Sequence, residues 1–176
     1  MRTKISIGAI YRETTVDGAG VRTSIYSMGC NHQCYNCHNP QTWNINNGTF
    51  VTVQDLYDRV TWHNPNGIQI IPNGITFTGG DPMYQAKGFS ELAKMIKDNT
   101  KWDIWTYTGY TFEEIISSQD DKFELLKNVD VLVDGRYIDE LRDINLEYRG
   151  STNQRIIDVQ ESLKQNAVTE LILNKF

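Results

Sequence analysis

Apolar and polar positions alternate in short runs along this chain, and the runs predict strands at ISIGAIY (5–11), RTSIYSM (22–28), QIIPNGITFTG (69–79), DIWTYT (103–108), DVLVDG (130–135) and QRIIDV (154–159). Between them apolar residues recur three and four apart, as on one face of a helix. VTVQDLYDRVTW (51–62) has Thr52 as its cap, and GFSELAKMIKDN (88–99) has Ser90 as a candidate cap with Leu92, Met95 and Ile96 on one face. TFEEIISSQ (111–119) carries the Thr111–Glu114 spacing of a capping box. NPQTWNINNGT (39–49) and WHNPNG (62–67) read as loops. Strands alternating with helices predict an α/β fold with a mostly parallel sheet. Such folds collect their chemistry on loops at the C-terminal ends of the strands.

Length and charge narrow this picture. The 176 residues suit a single domain, 1–176, shorter than the roughly 250 residues of a complete eightfold barrel. The net charge is -5 and no polybasic run occurs, which argues against nucleic acid or an anionic membrane as the main partner. The first residues hold no apolar stretch of signal-peptide length, and no segment approaches the roughly 20 apolar residues of a membrane helix. The expected location is the cytoplasm, where thiols stay reduced and clustered cysteines serve metals or catalysis.

All 3 cysteines lie in CNHQCYNCHNP, residues 30–40. Offsets of four and seven would place Cys30, Cys34 and Cys37 on one helix face, but polar Asn31, His32, Gln33 and Asn36 intervene and Pro40 follows. A loop folded around a metal fits this composition better. Two metal readings stand. His38 or His32 could complete a Cys3His zinc site. Alternatively, the thiolates hold three irons of a cubane cluster, leaving one iron free to bind a small molecule. Further on, ITFTGGDP (75–82) is an alternating run that breaks at Gly79 and Gly80. Paired glycines let the backbone turn and approach a ligand without a Cβ, although a plain turn has the same signature.

The C-x3-C-x2-C spacing, with Tyr35 as its aromatic, resembles the signature of the radical S-adenosylmethionine enzymes. In that superfamily S-adenosylmethionine chelates the open iron of a [4Fe-4S] cluster. One electron then cleaves it to methionine and a 5′-deoxyadenosyl radical, which removes a hydrogen atom from the target. FTGGDP (77–82) is similar to the superfamily's glycine-rich motif, with Asp81 where Glu is usual. The strings VDGAGVRTSIYSMGC (16–30), HNPQTW (38–43), IWTYTGYTFEEI (104–115), DVLVDGRYIDEL (130–141) and RGSTNQRIIDV (149–159) extend the likeness. Together they resemble the activating components of anaerobic ribonucleoside-triphosphate reductases across most of residues 5 to 159, with Ala19 where Pro is common. Residues 160–176 match nothing in that family and carry no assigned role.

The resemblance implies an incomplete β/α barrel with the cluster loop after an early strand. It implies one [4Fe-4S] cluster on Cys30, Cys34 and Cys37, since no cysteine remains for a second. It sets Asn36, Cys37 and His38 against S-adenosylmethionine, and Gly79 and Gly80 at its methionyl amino group. Asp134 and Arg136, two apart at a strand end, could face one side. Arg136 then suits the cofactor carboxylate and Asp134 a ribose hydroxyl, the other reading being a solvated ion pair. Thr106 and Thr108 could line the same mouth or be structural, and Asn153 and Gln154 could read cofactor or partner backbone or cap a turn. His32 and His63 read as solvent-facing, and Trp43, Trp62, Trp102 and Trp105 as core or interface anchors. No general acid–base pair is expected, because the cofactor supplies the reacting radical.

The implied partners are the reductase large subunit, whose backbone glycine becomes a radical, and an external one-electron reductant such as a flavodoxin-like protein. A homodimer is left open. The competing functions are activation of another glycyl-radical enzyme and a Cys3His zinc-binding interaction module.

Overall fold

The structure, a computed structural model, describes residues 3–62 and 72–173. Its elements run β1 (Lys4–Thr14), β2 (Arg22–Ser27), β3 (Thr49–Thr52), α1 (Val53–Thr61), β4 (Gly74–Gly79), α2 (Ala86–Asn99), β5 (Asp103–Tyr107), α3 (Phe112–Ser118), α4 (Asp121–Leu126), β6 (Val131–Asp134), β7 (Arg155–Asp158) and α5 (Val159–Gln165). The strands form one open sheet in the order β3-β1-β2-β4-β5-β6-β7. Its centre, β2-β4-β5-β6, is parallel. Both margins are antiparallel: β1 runs against β2 and β3, and β7 against β6. The expected parallel sheet is therefore present in the middle, and the C-terminal ends of its four strands open on one edge.

Several local expectations hold. Thr52 caps α1 by accepting from the Asp55 amide at 3.1 Å. Thr111 and Glu114 form the reciprocal capping box of α3. Others shift for physical reasons. The stretch expected to be helical from residue 51 starts as β3, because Thr49–Thr52, β-branched and aromatic, pair with the free edge of β1 before the cap. Ser90 is not a cap. Asp81 instead caps a 3-10 turn at Pro82–Gln85, accepting from the Met83 amide, and the turn runs directly into α2. Gln85 is then free to tie β1 to β2: its Nε2 donates to the Ser6 and Met28 carbonyls, and its Oε1 accepts from the Ser6 amide. The short helices α4 and α5, capped by Asp120 and Asp158, escaped the sequence pattern. His63 and most of the 62–67 loop lie outside the described residues.

The sheet has two unlike faces. One carries Ile25, Ile75, Phe77, Ile104, Leu132 and Ile157, all buried against the helices. On the other, Trp105, Val131, Val133 and Ile156 make a smaller apolar group beside polar positions on β2 and β4. The segment without an assigned role covers part of this second face. After α5 the chain returns along β7, with the Leu171 amide donating to Ile156 and the Asp158 amide to Thr169, and Leu171 and Leu173 pack against this apolar group. No helix among the described residues is long and apolar enough to cross a membrane.

Arg22 is the anchor of the polar face. It is fully buried, yet all three guanidinium nitrogens have acceptors: Thr76 Oγ1 at 2.8 Å, the Ala19 carbonyl at 3.0 Å, the Ile75 carbonyl at 2.9 Å, and the Asp103 carboxylate. The cation also lies 5.3 Å from the Trp105 ring centroid. These bonds hold the 17–20 loop down on the sheet, and Gly18 lets it lie close: a Cβ there would sit 2.9 Å from the Trp105 ring. Arg22→Met removes a buried charge and strands its acceptors. It is expected to cost about 3 kcal/mol, a fall of roughly 6–12 °C in the thermal midpoint. Asp103→Asn, at the half-exposed end of the pair, should cost about 1 kcal/mol or less. Thermal and urea unfolding of both variants checks the ordering.

Candidate cofactor site

The loops after the four parallel strands meet around a cavity of about 490 Å³. The long connection from β2 contributes Cys30, Cys34 and Cys37 to its wall, β4 ends there in Gly79, Gly80 and Asp81, and β5 brings Thr108 and Gly109. Gly135 and Tyr137 follow β6, and Arg149 and Gln154 close the far side.

The cysteine loop is zipped at its base, where the Gly29 amide donates to Thr42 and the Cys30 amide to Trp43. Gln33 and Asn36 take left-handed conformations, φ 48 and 54, which turn the chain tightly between the cysteines. Each sulfur faces backbone N–H groups. Cys37 accepts from the Asn39 amide at 3.4 Å, while the His32 and Gln33 amides favour the Cys30 thiolate and the Tyr137 and Cys34 amides that of Cys34. Burial pushes the Cys30 and Cys34 thiols up, and these amides pull them partly back; the Arg136 charge also favours the Cys34 thiolate. All three thiols are free and partly exposed.

Gly79 and Gly80 are required by close approach. Gly79 has φ +94 and a Cβ there would lie 2.7 Å from the Ser27 amide nitrogen; one on Gly80 would lie 2.6 Å from the Gly29 carbonyl oxygen. The Gly80 amide donates to Ser27 and the Asp81 amide to Gly29, so the end of β4 is seated on the start of the cysteine loop.

Asp81 joins the loops. Its side chain is nearly fully buried and accepts four hydrogen bonds: His32 Nε2 at 2.7 Å, Thr108 Oγ1 at 2.9 Å, the Gly109 amide at 3.1 Å and the Met83 amide at 2.9 Å. The expectation that His32 faces solvent is thereby corrected. Its side chain is 5% exposed, and a buried carboxylate needs such donors. The imidazole fits only because residue 109 is glycine, since a Cβ there would sit 2.4 Å from the ring. Tyr110 packs against it edge-on.

Other expected site residues divide. His38 lines the cavity against Tyr137, and Thr108 and Gln154 line it too. Gln154 accepts from the Gly150 amide and donates to the Gly135 carbonyl, stapling the 149–151 turn to the end of β6. Asn153 donates to the Arg136 carbonyl, and Thr106 is buried within the sheet. The Asn36 side chain is exposed and donates to Asp139 at 2.9 Å, off the cavity wall.

Asp134 and Arg136 do not share a side. Gly135 between them has φ +92, which ends the extended backbone on which that expectation rested. Asp134, 1% exposed, turns under α3, accepting from the Phe112 amide at 2.8 Å and from Arg155, which also pairs with Glu113. It is a buried ion pair, not a solvated one, and lies off the cavity wall. Arg136 is exposed and also off the wall. Trp102 and Trp105 are buried as anchors, whereas Trp62 is 55% exposed beneath Arg12.

The wall also holds residues that sequence reasoning did not single out. Asp17 accepts the Tyr26 hydroxyl at 3.1 Å, and burial together with that carboxylate pushes Tyr26 up to about 12. Tyr107, buried beside them, is pushed up as well. The signal was the run of polar positions Ser24, Tyr26, Thr76 and Thr78 on one face of β2 and β4. Arg149, its Nη1 donating to the Gln154 carbonyl, is the one guanidinium on the cavity wall among the described residues.

Comparison with known proteins bears on this arrangement. The family model of the 4Fe-4S single cluster domain matches residues 16–157. A Vibrio cholerae protein is 38% identical over 83% of this chain and 93% of its own length. An Enterobacteria phage T4 protein is 38% identical over 84% of this chain and 90% of its own. An Escherichia coli protein is 32% identical over 82% of this chain and 92% of its own. All three bear the same name, and with these identities and the cluster-domain match the chain belongs to the family of anaerobic ribonucleoside-triphosphate reductase-activating proteins.

Proposed function

We propose that this chain is the enzyme that activates an anaerobic ribonucleoside-triphosphate reductase, holding a [4Fe-4S] cluster on Cys30, Cys34 and Cys37 and S-adenosylmethionine in the adjoining cavity. The observation that carries this is three free, partly exposed thiols on one wall of a 490 Å³ cavity whose next wall is the Gly79-Gly80 turn. The residues fit such a group. Among the described residues no three or more His, Cys, Asp or Glu side chains close on a single ion position. Thiolates that each take a different iron of a cubane need no such convergence, whereas a tetrahedral zinc ion does. The N–H groups facing every sulfur suit a thiolate-bound, negatively charged cluster.

When bound, the two groups would supply the chemistry, a one-electron reductive cleavage of the sulfonium and hydrogen-atom abstraction from a reductase glycine, with Cys30, Cys34 and Cys37 holding the cluster. The polypeptide binds and orients. A methionyl ammonium is a donor only, so near Gly80 it is received by carbonyl oxygens, while the Gly80 amide donates to the Ser27 carbonyl. Arg149, on the wall, suits the methionyl carboxylate. Arg136 bears on the cluster through its charge at Cys34. Cys37 and His38 flank the cofactor, and Asn36 contributes through its backbone because its side chain is held by Asp139. Asp134 positions Arg155 and α3. The open sheet, in this reading an incomplete barrel, leaves a side through which a glycine loop enters, and a flavodoxin-like carrier is the expected reductant. The names of the relatives favour the anaerobic reductase over other glycyl-radical enzymes as the target.

Three tests follow from this reading. Anaerobically reconstituted protein is expected to hold about four iron and four sulfide per chain, and Cys34→Ala to lose S-adenosylmethionine cleavage; a single zinc without labile sulfide refutes it. Mixing the loaded protein with the reductase, S-adenosylmethionine and a reductant should yield a glycyl-radical signal by electron paramagnetic resonance, and no signal on a competent reductase sinks the assignment of target. In equilibrium binding to the loaded protein, Arg149→Gln is expected to weaken S-adenosylmethionine about tenfold, or ~1.4 kcal/mol. Arg136→Gln should weaken it less.

A further inference from the structure

His32 stands apart from its neighbours. Asn31, Gln33 and Tyr35 are exposed, while the His32 side chain is buried between Asp81 and Tyr110. Its Nε2 bond to Asp81 is the one side-chain link from the 30–37 loop to the ends of β4 and β5 among the described residues. Asp81 does not depend on it for burial, because Met83, Thr108 and Gly109 already donate to that carboxylate. The anchor is thus set by the sheet, and the loop hangs from it through His32.

What hangs there is the hydrogen bonding of Cys30. His32 and Gln33 are the second and third residues after Cys30, Gln33 takes a left-handed conformation in the tight turn between the cysteines, and both amides favour the Cys30 thiolate. The Asp81 charge acts on the same sulfur in the opposite sense, and the His32 ring donates to that carboxylate from the loop side.

Resting on the cluster reading above, we infer that His32 is a positioning residue that raises the cluster's reduction potential, by fixing two N–H donors on the Cys30 sulfur and offsetting the Asp81 carboxylate beside it. Reduction adds negative charge to the cluster, and N–H groups aimed at a ligating sulfur stabilise the reduced form more than the oxidised one. Loss of the anchor lets these amides drift and leaves the carboxylate charge less compensated. Both effects make the cluster harder to reduce.

The test is a redox titration, followed by electron paramagnetic resonance, of reconstituted full-length His32→Phe and His32→Gln, with iron and sulfide measured on each. Phenylalanine keeps a ring but cannot donate; the glutamine amide can still donate to Asp81. At a fixed donor potential the reduced-to-oxidised ratio in His32→Phe is expected to fall about tenfold, which for one electron is about 59 mV. His32→Gln should stay near wild type. Failure of His32→Phe to hold a cluster, with His32→Gln holding one at the wild-type potential, also supports the assignment. A loaded His32→Phe with the wild-type potential overturns it. So does a glutamine variant as impaired as phenylalanine, in potential or in cluster content. Wild-type protein that takes up no iron refutes instead the cluster reading itself.

Discussion

A carboxylate removed from water must be given donors, and those of Asp81 come from separate stretches of chain. The imidazole is from the cysteine loop after β2, a hydroxyl and an amide are from the loop after β5, and the remaining amide is from the turn that starts α2. An unpaired buried carboxylate is costly, so these partners are held together as a set. One side chain thereby fixes the relative placement of the cysteine loop, the glycine turn and the β5 end, which are the walls of the cavity. The glycines at 79, 80 and 109 are the steric counterpart: each stands where a Cβ would drive these loops apart.

The unlike faces of the sheet explain where this node could form. The helix-covered face is filled with aliphatic and aromatic side chains and supplies the hydrophobic driving force. The opposite face places hydroxyls, Asp17 and the buried Arg22 between β2, β4 and β5, and is covered by loops and by the returning C-terminal segment. Arg22 does for the 17–20 loop what Asp81 does for the cysteine loop: a buried charge with every polar atom engaged orders irregular chain over the sheet. Several polar groups on the cavity side are therefore structural before they are chemical, and among the described residues the wall also presents the three thiols, Arg149 and His38.

Much of this was legible from residue order, with identifiable exceptions. Period-two alternation located the sheet's long strands, since each has one face pressed against helices. It missed β3, because Thr49–Thr52 runs without interruption into the amphipathic pattern of α1. The Ser90 cap failed because a competing start lay upstream, where Asp81 and Pro82 begin a turn continuous with α2. Asp134 and Arg136 were paired by a strand rule that stops applying where Gly135 leaves the extended region. Residues 160–173 looked featureless because their apolar residues are split: Leu163 and Val168 pack on the main core, and Leu171 and Leu173 on the smaller apolar group that includes Trp105.

The order of the chain determined what is local: strand and helix periodicity, the Thr52 and Thr111 caps, the three-cysteine spacing, and the break at Gly79 and Gly80. These follow from backbone geometry and side-chain chemistry within a few residues. Tertiary structure decided which polar groups meet: His32 with Asp81, Arg22 with Ala19, Thr76 and Asp103, and Asp134 with Arg155. Most of those partners lie tens of residues apart, and only the packing of the sheet brings a buried charge to the donors or acceptors that its burial demands.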